Sequence, residues 1–71
     1  MDWALIQSDW QHYSDLVRQR WARLTAADLD SIAGRRELLA THIQQTYGIS
    51  LNSAQMQLES WQGQQREPDA A

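Results

Sequence analysis

Large apolar residues recur at spacings of three and four through the first third of the chain: Trp3, Ile6, Trp10, Tyr13, Val17, Trp21 and Leu24. At about 100° per residue these positions fall within an arc of about 80° on a helical surface. The pattern predicts one long amphipathic helix over residues 1–24, or two helices in line with a break near Ser8. Asp2 is placed to cap its start. Asp9, His12, Gln19 and Arg23 take the opposite side. An unbroken helix of that length outreaches the other elements, so its first two turns are expected to overhang the core.

The stretch from Leu24 to Ile49 holds two further helices and the turn between them. Thr25 followed by Asp28 reads as a helix start, since the Thr hydroxyl accepts a backbone N–H and the Asp sits in the positive first turn. Leu29, Ile32 and Ala33 share a face of this second helix, and Gly34 is expected to end it with a positive φ. Arg35 then opens a third helix with Leu39, Ala40, Ile43 and Tyr47 on one side. Gly48 is expected to stop it in the left-handed region. Ser50 is an N-cap for a fourth, in which Leu51, Ala54, Leu58 and Trp61 recur at helical spacing. Gly63 is expected to end that helix. The segment GQQREPDAA, residues 63–71, has no apolar face and contains the one Pro, so it reads as a disordered tail behind a single helical domain of residues 1–62. No window alternates with the period of a strand.

Composition narrows what this bundle can do. A chain of 71 residues without Cys folds as one small domain, burying roughly 60% of its unfolded surface, with neither disulfides nor thiolate metal sites. Four Trp, two Tyr and no Phe make a few large aromatics supply much of the core. The net charge of −3 argues against a phosphate-binding surface. No apolar run approaches the roughly 20 residues of a membrane span, and no signal peptide opens the chain, so a cytoplasmic location is expected.

Candidate chemistry is sparse. Asp28 and Asp30 diverge by about 200° on a helix and cannot share a catalytic task. His12 lies opposite the apolar stripe and His42 at the edge of its own. Neither has an acidic or imidazole partner four residues away, as a helical zinc pair requires. There is no Gly-x-Ser-x-Gly turn and no phosphate loop. The expectation is a protein that is not an enzyme and holds no cofactor. Arg35-Arg36 is the single basic doublet. Arg36 shares the face of Leu39, Ile43 and Tyr47 and is expected to reach Asp28 or Asp30. The tryptophans could stack bases, but their alignment with Val17 and Leu24 favours core positions.

The order Trp10, Tyr13, Val17, Trp21, Leu24, Thr25, Asp28, Leu29, Ile32, Gly34, Arg36, Leu39, Ile43, Gln44, Tyr47, Gly48, Ala54 and Trp61 resembles the CsbD-like family of small bacterial stress-response proteins. The resemblance covers residues 10–61. It implies an all-α fold similar to SAM-domain-like packing of two helical hairpins, and accumulation under general stress. It implies no molecular activity. The chain departs from the family along the first helix, where Lys and Gly are usual and Ser8, Asp15, Leu16 and Ala22 stand instead.

The reading is a small all-α bundle of four helices, or five if the first is split. Its expected core is Trp10, Trp21, Leu29, Ile32, Leu39, Ile43, Tyr47, Leu58 and Trp61. Leu16, Leu38 and Met56 point away from the core faces at positions that are usually polar in relatives. With Arg35 they form the candidate surface for an unknown protein partner or a homodimer. The alternative function is a helix-turn-helix nucleic-acid binder, which the acidic charge and the lack of a basic recognition helix oppose.

Overall fold

The computed structural model describes residues 2–65, all of them in helices or short connections. The helices are α1 (Trp3–Ser8), α2 (Trp10–Arg20), α3 (Ala26–Ile32), α4 (Arg36–Tyr47) and α5 (Leu51–Gln64). The fold is therefore all-α, with the five-helix alternative realised.

The first amphipathic stripe is divided at Asp9, whose φ of −122° and ψ of 47° leave the helical region. The reason lies in what the stripe must bury. In a straight helix Trp3 and Ile6 would run past the end of the core into water. The bend folds them back: Ile6 is fully buried, and the Trp3 Nε1–H donates to the Gly34 carbonyl at 2.9 Å. The overhang expected from the sequence is thereby removed. The stripe also stops short of Leu24. The chain leaves the helix at Trp21, and Trp21 and Leu24 both turn inward to 1% exposure.

Local chemistry sets the next three boundaries. At the start of α3 the Thr25 hydroxyl accepts the Asp28 N–H at 3.1 Å, while the Asp28 carboxylate accepts the Thr25 N–H at 2.9 Å. This reciprocal capping box satisfies two of the orphan donors at the helix start. At the end of α4 Gly48 has φ 65°, and the Ile49 N–H reaches back to the Gln44 carbonyl at 3.2 Å. Such a left-handed stop suits a residue without Cβ. The Ser50 hydroxyl accepts the Ser53 N–H at 3.1 Å and caps α5.

Three further boundaries differ from the sequence reading. The left-handed turn after α3 begins one residue early, at Ala33 with φ 51°, and continues through Gly34 at φ 79°. Arg35 is the N-cap of α4 rather than its first residue. Gly63 does not end α5, which continues to Gln64 because glycine only weakens a helix unless the chain turns there. Of the expected tail, residues 66–71 lie outside the described residues. Ala33 is exposed, so its Cβ contributes strain at that φ and no packing in return. Ala33→Gly is expected to stabilise the fold by about 0.5–1 kcal/mol, read as a raised urea midpoint with an unchanged slope.

The core draws on every helix, with Trp21, Ile6, Leu24, Ile32, Leu39, Ile43, Leu58 and Val17 the largest fully buried side chains. Leu29 and Trp61 are also buried. Trp10 and Tyr47, expected in the core, instead sit half-buried at its rim. Their polar ends explain the position, since a buried indole N–H or phenol needs a partner. The Trp10 Nε1–H donates to the Leu29 carbonyl at 3.1 Å, and the Tyr47 hydroxyl accepts the Arg23 N–H at 3.1 Å. Indoles thus tie separate elements together: Trp10 holds α2 to the middle of α3, Trp3 holds α1 to the turn after α3, and Trp21 donates to Gln57 of α5 at 3.2 Å.

Candidate interaction surface

Of the residues expected to form a partner surface, Leu38 on α4 and Met56 on α5 are exposed, at 37% and 62%. Arg35 is exposed as well, at the N-cap of α4. Leu16 is not part of this set. It is half-buried and packs against the core, because it lies on the flank of the α2 stripe and the fold closes over that flank. Two other leucines stand out instead, Leu5 at 43% and Leu51 at 42%. Leu51 was assigned to the buried face of α5, yet it opens that helix at the edge of the bundle. Leu5, about 100° from Ile6 around the helix, lies off the apolar stripe.

The outward face of α5 is mixed. Leu51 and Met56 are separated by about 140° around the helix and so face different directions. The Met56 sulfur accepts the Asn52 Nδ2–H at 3.6 Å, which lays a polar neighbour beside it.

Charged groups of both signs gather at several places, among them a cleft on α2 lined by Asp15 and Arg18. A shallow open cleft is lined by Asp2, Trp3, Arg36, Glu59, Gln62 and Gly63, where the start of α1, the start of α4 and the end of α5 meet. Arg36 therefore faces this cleft and does not reach Asp28 or Asp30 among the described residues. His42 stands beside Asp28 instead, with Nδ1 3.6 Å from the carboxylate, and can pair with it when protonated. Elsewhere Arg20 lies over the Trp21 ring at 5.1 Å and Arg23 over the Tyr47 ring at 5.8 Å. Among the described residues no three His, Asp or Glu side chains gather as a metal site would require.

The Thr25 backbone N–H holds the Asp28 carboxyl below its ordinary value of 3.8, helped by the Thr25 hydroxyl and by His42 and partly opposed by desolvation. A depressed native value means that the charged form stabilises the fold. That contribution is complete above the unfolded carboxylate's value and is lost as pH falls through the lower native one. Asp28→Asn keeps a carbonyl acceptor but no charge. It should lower the melting temperature at neutral pH and flatten the loss of stability below about pH 4, as followed by thermal melts across an acid series.

A small all-α domain tied together by indole donors, with shallow mixed-charge clefts and scattered exposed leucines, is the class that fold and surface define. The chain belongs to the UPF0337 family, which is the CsbD-like family. It is 33% identical over 61 residues to a UPF0337 protein of Rhodopseudomonas palustris, covering 86% of this chain and 92% of the relative. To a UPF0337 protein of Agrobacterium fabrum it is 35% identical over 65 residues, 92% of this chain and 97% of the relative. To YjbJ of Escherichia coli it is 30% identical over 54 residues, 76% of this chain and 78% of YjbJ. No family profile matches the chain, and no solved structure does. No helix among the described residues is long and apolar enough to cross a membrane.

Proposed function

We infer that this is a non-enzymatic, stress-associated protein of the bacterial cytoplasm, and that it works by touching other proteins or further copies of itself. Membership of the UPF0337 family supports the stress context. The observation that carries the mode of action is the outward placement of Leu38 and Met56 on the α4–α5 hairpin, where neither serves the core. Methionine is flexible and polarizable, and suits a contact that must adapt to its partner. The acidic surface favours proteins over nucleic acid as partners.

Sedimentation of the wild type against a Leu38→Gln, Met56→Lys double variant tests this reading. The wild type should self-associate with rising concentration and the variant should do so at least several-fold more weakly. Equal association would place the contact elsewhere. A wild type that stays monomeric at millimolar concentration would eliminate self-association through this surface.

A further inference from the structure

The short helix α1 is joined to α2 by a single residue, Asp9. On either side of it the apolar stripe keeps one helical phase. Trp3, Ile6, Trp10 and Tyr13 would therefore share one face of a straight helix. One local bond accompanies the bend, from the Ser8 hydroxyl to the Leu5 carbonyl at 2.9 Å, and it lies within α1 rather than across Asp9. The Asp9 carboxylate caps no N–H of α2, the first turn of α2 carries no acidic residue, and neither Gly nor Pro interrupts residues 3–20. Helix kinks normally have such a cause.

What holds α1 in place is its seat. Ile6 is fully buried, the Trp3 indole donates to the Gly34 carbonyl, and the Trp3 ring lies 6.2 Å from that of Trp61. The bare Gly34 leaves room for the Gln7 backbone, which a Cβ at that position would meet at 3.3 Å. This notch fits α1 and would accept the same helix from another molecule with the same contacts.

We propose that α1 exchanges between two copies of this chain, each arm seating in the other's Gly34–Trp61 notch while residues 3–20 straighten into one helix. Straightening restores the backbone hydrogen bonds that the bend at Asp9 interrupts. The straight helix spans about 27 Å, which carries the arm clear of its own notch. Exchange of an identical element preserves every contact of the closed form, so the balance rests on the hinge and on concentration. The proposal goes beyond the surface reading and is independent of it, since it names a different interface, one that Leu38 and Met56 do not enter.

Hinge variants test it. Ala at position 9 favours a continuous helix over Asp, and Gly disfavours it. With two hinges in each dimer, Asp9→Ala should tighten association on the order of ten-fold and Asp9→Gly should weaken it roughly three-fold, by sedimentation equilibrium. The dimer is then formed from a mixture of isotope-labelled and unlabelled chains. The expected result is an intermolecular contact between the Trp3 indole and Gly34 or Trp61, unchanged in the Leu38→Gln, Met56→Lys background. A dimer in which Trp3 contacts Gly34 only within its own chain overturns the exchange and leaves the surface reading standing. Monomers throughout the hinge series overturn it as well. A dimer abolished by Leu38→Gln, Met56→Lys but indifferent to position 9 assigns the contact to the surface alone.

Discussion

Trp21→Ala is expected to lower stability by about 3–5 kcal/mol, a large share of what a domain of this size possesses. The indole is 1% exposed and stands where α2 ends. Its ring lies 5.9 Å from that of Trp61, and its Nε1–H donates to the Gln57 side chain on α5. Truncation removes the largest fully buried side chain, opens a cavity between α2 and α5, and ends the link between them. Urea denaturation followed by far-ultraviolet circular dichroism measures the loss. An unchanged midpoint would mean that the α2–α5 contact is not part of the folding unit.

Gly34→Ala is the second large effect, at about 2–4 kcal/mol. Two causes add. The φ of 79° is unfavourable for any residue with a Cβ. The new methyl would also stand 2.9 Å from the Gln7 Cγ and 3.3 Å from its Cα. The side chain can swing away, but the backbone cannot move without lifting α1 from its seat. Gly48→Ala separates the causes. Its φ is 65°, yet nothing stands within 4 Å of the added Cβ, so about 1 kcal/mol is expected there. The excess at Gly34 measures the steric part. Faster hydrogen exchange of the Trp3 indole in Gly34→Ala would locate that part at α1, whereas equal losses in the two variants would show that α1 yields freely.

Boundaries written in local chemistry were legible in the sequence. The Thr25–Asp28 box, the Gly48 stop and the Ser50 cap each involve a few neighbouring residues whose side chains act on their own backbone, so residue type and spacing suffice. The bend at Asp9 was not legible beyond the alternative of a break near Ser8. Periodicity records which side of a helix is apolar, and both halves of the stripe keep one phase whether the chain is straight or folded back. What selects the bend is the seat at Gly34 and Trp61, far away in sequence. Trp10 and Tyr47 show the same limit at the level of a side chain. Their phase places them toward the core, but the carbonyl of Leu29 and the N–H of Arg23 that hold their polar ends at the rim come from other elements.

The candidate surface was legible only in part for a related reason. Leu38 and Met56 lie opposite the buried faces of their helices, so helical phase alone exposes them. Leu16 lies on a flank, and whether a flank is covered depends on how neighbouring helices cross. Likewise, Arg36 turns to the cleft beside Asp2 and Glu59, leaving the flank of Asp28 to His42.

The ring series Trp3–Trp61–Trp21, with centroid separations of 6.2 and 5.9 Å and interplanar angles near 60°, also has an optical consequence. Indole transitions held this close and at fixed tilt couple to one another. The folded chain therefore carries its own chromophore array, spanning α1, α5 and the end of α2, with Trp10 outside it. Release of α1 removes the outer member and leaves the Trp61–Trp21 pair coupled. Rupture of the core uncouples that pair too, so near-ultraviolet dichroism distinguishes the two events without any attached label.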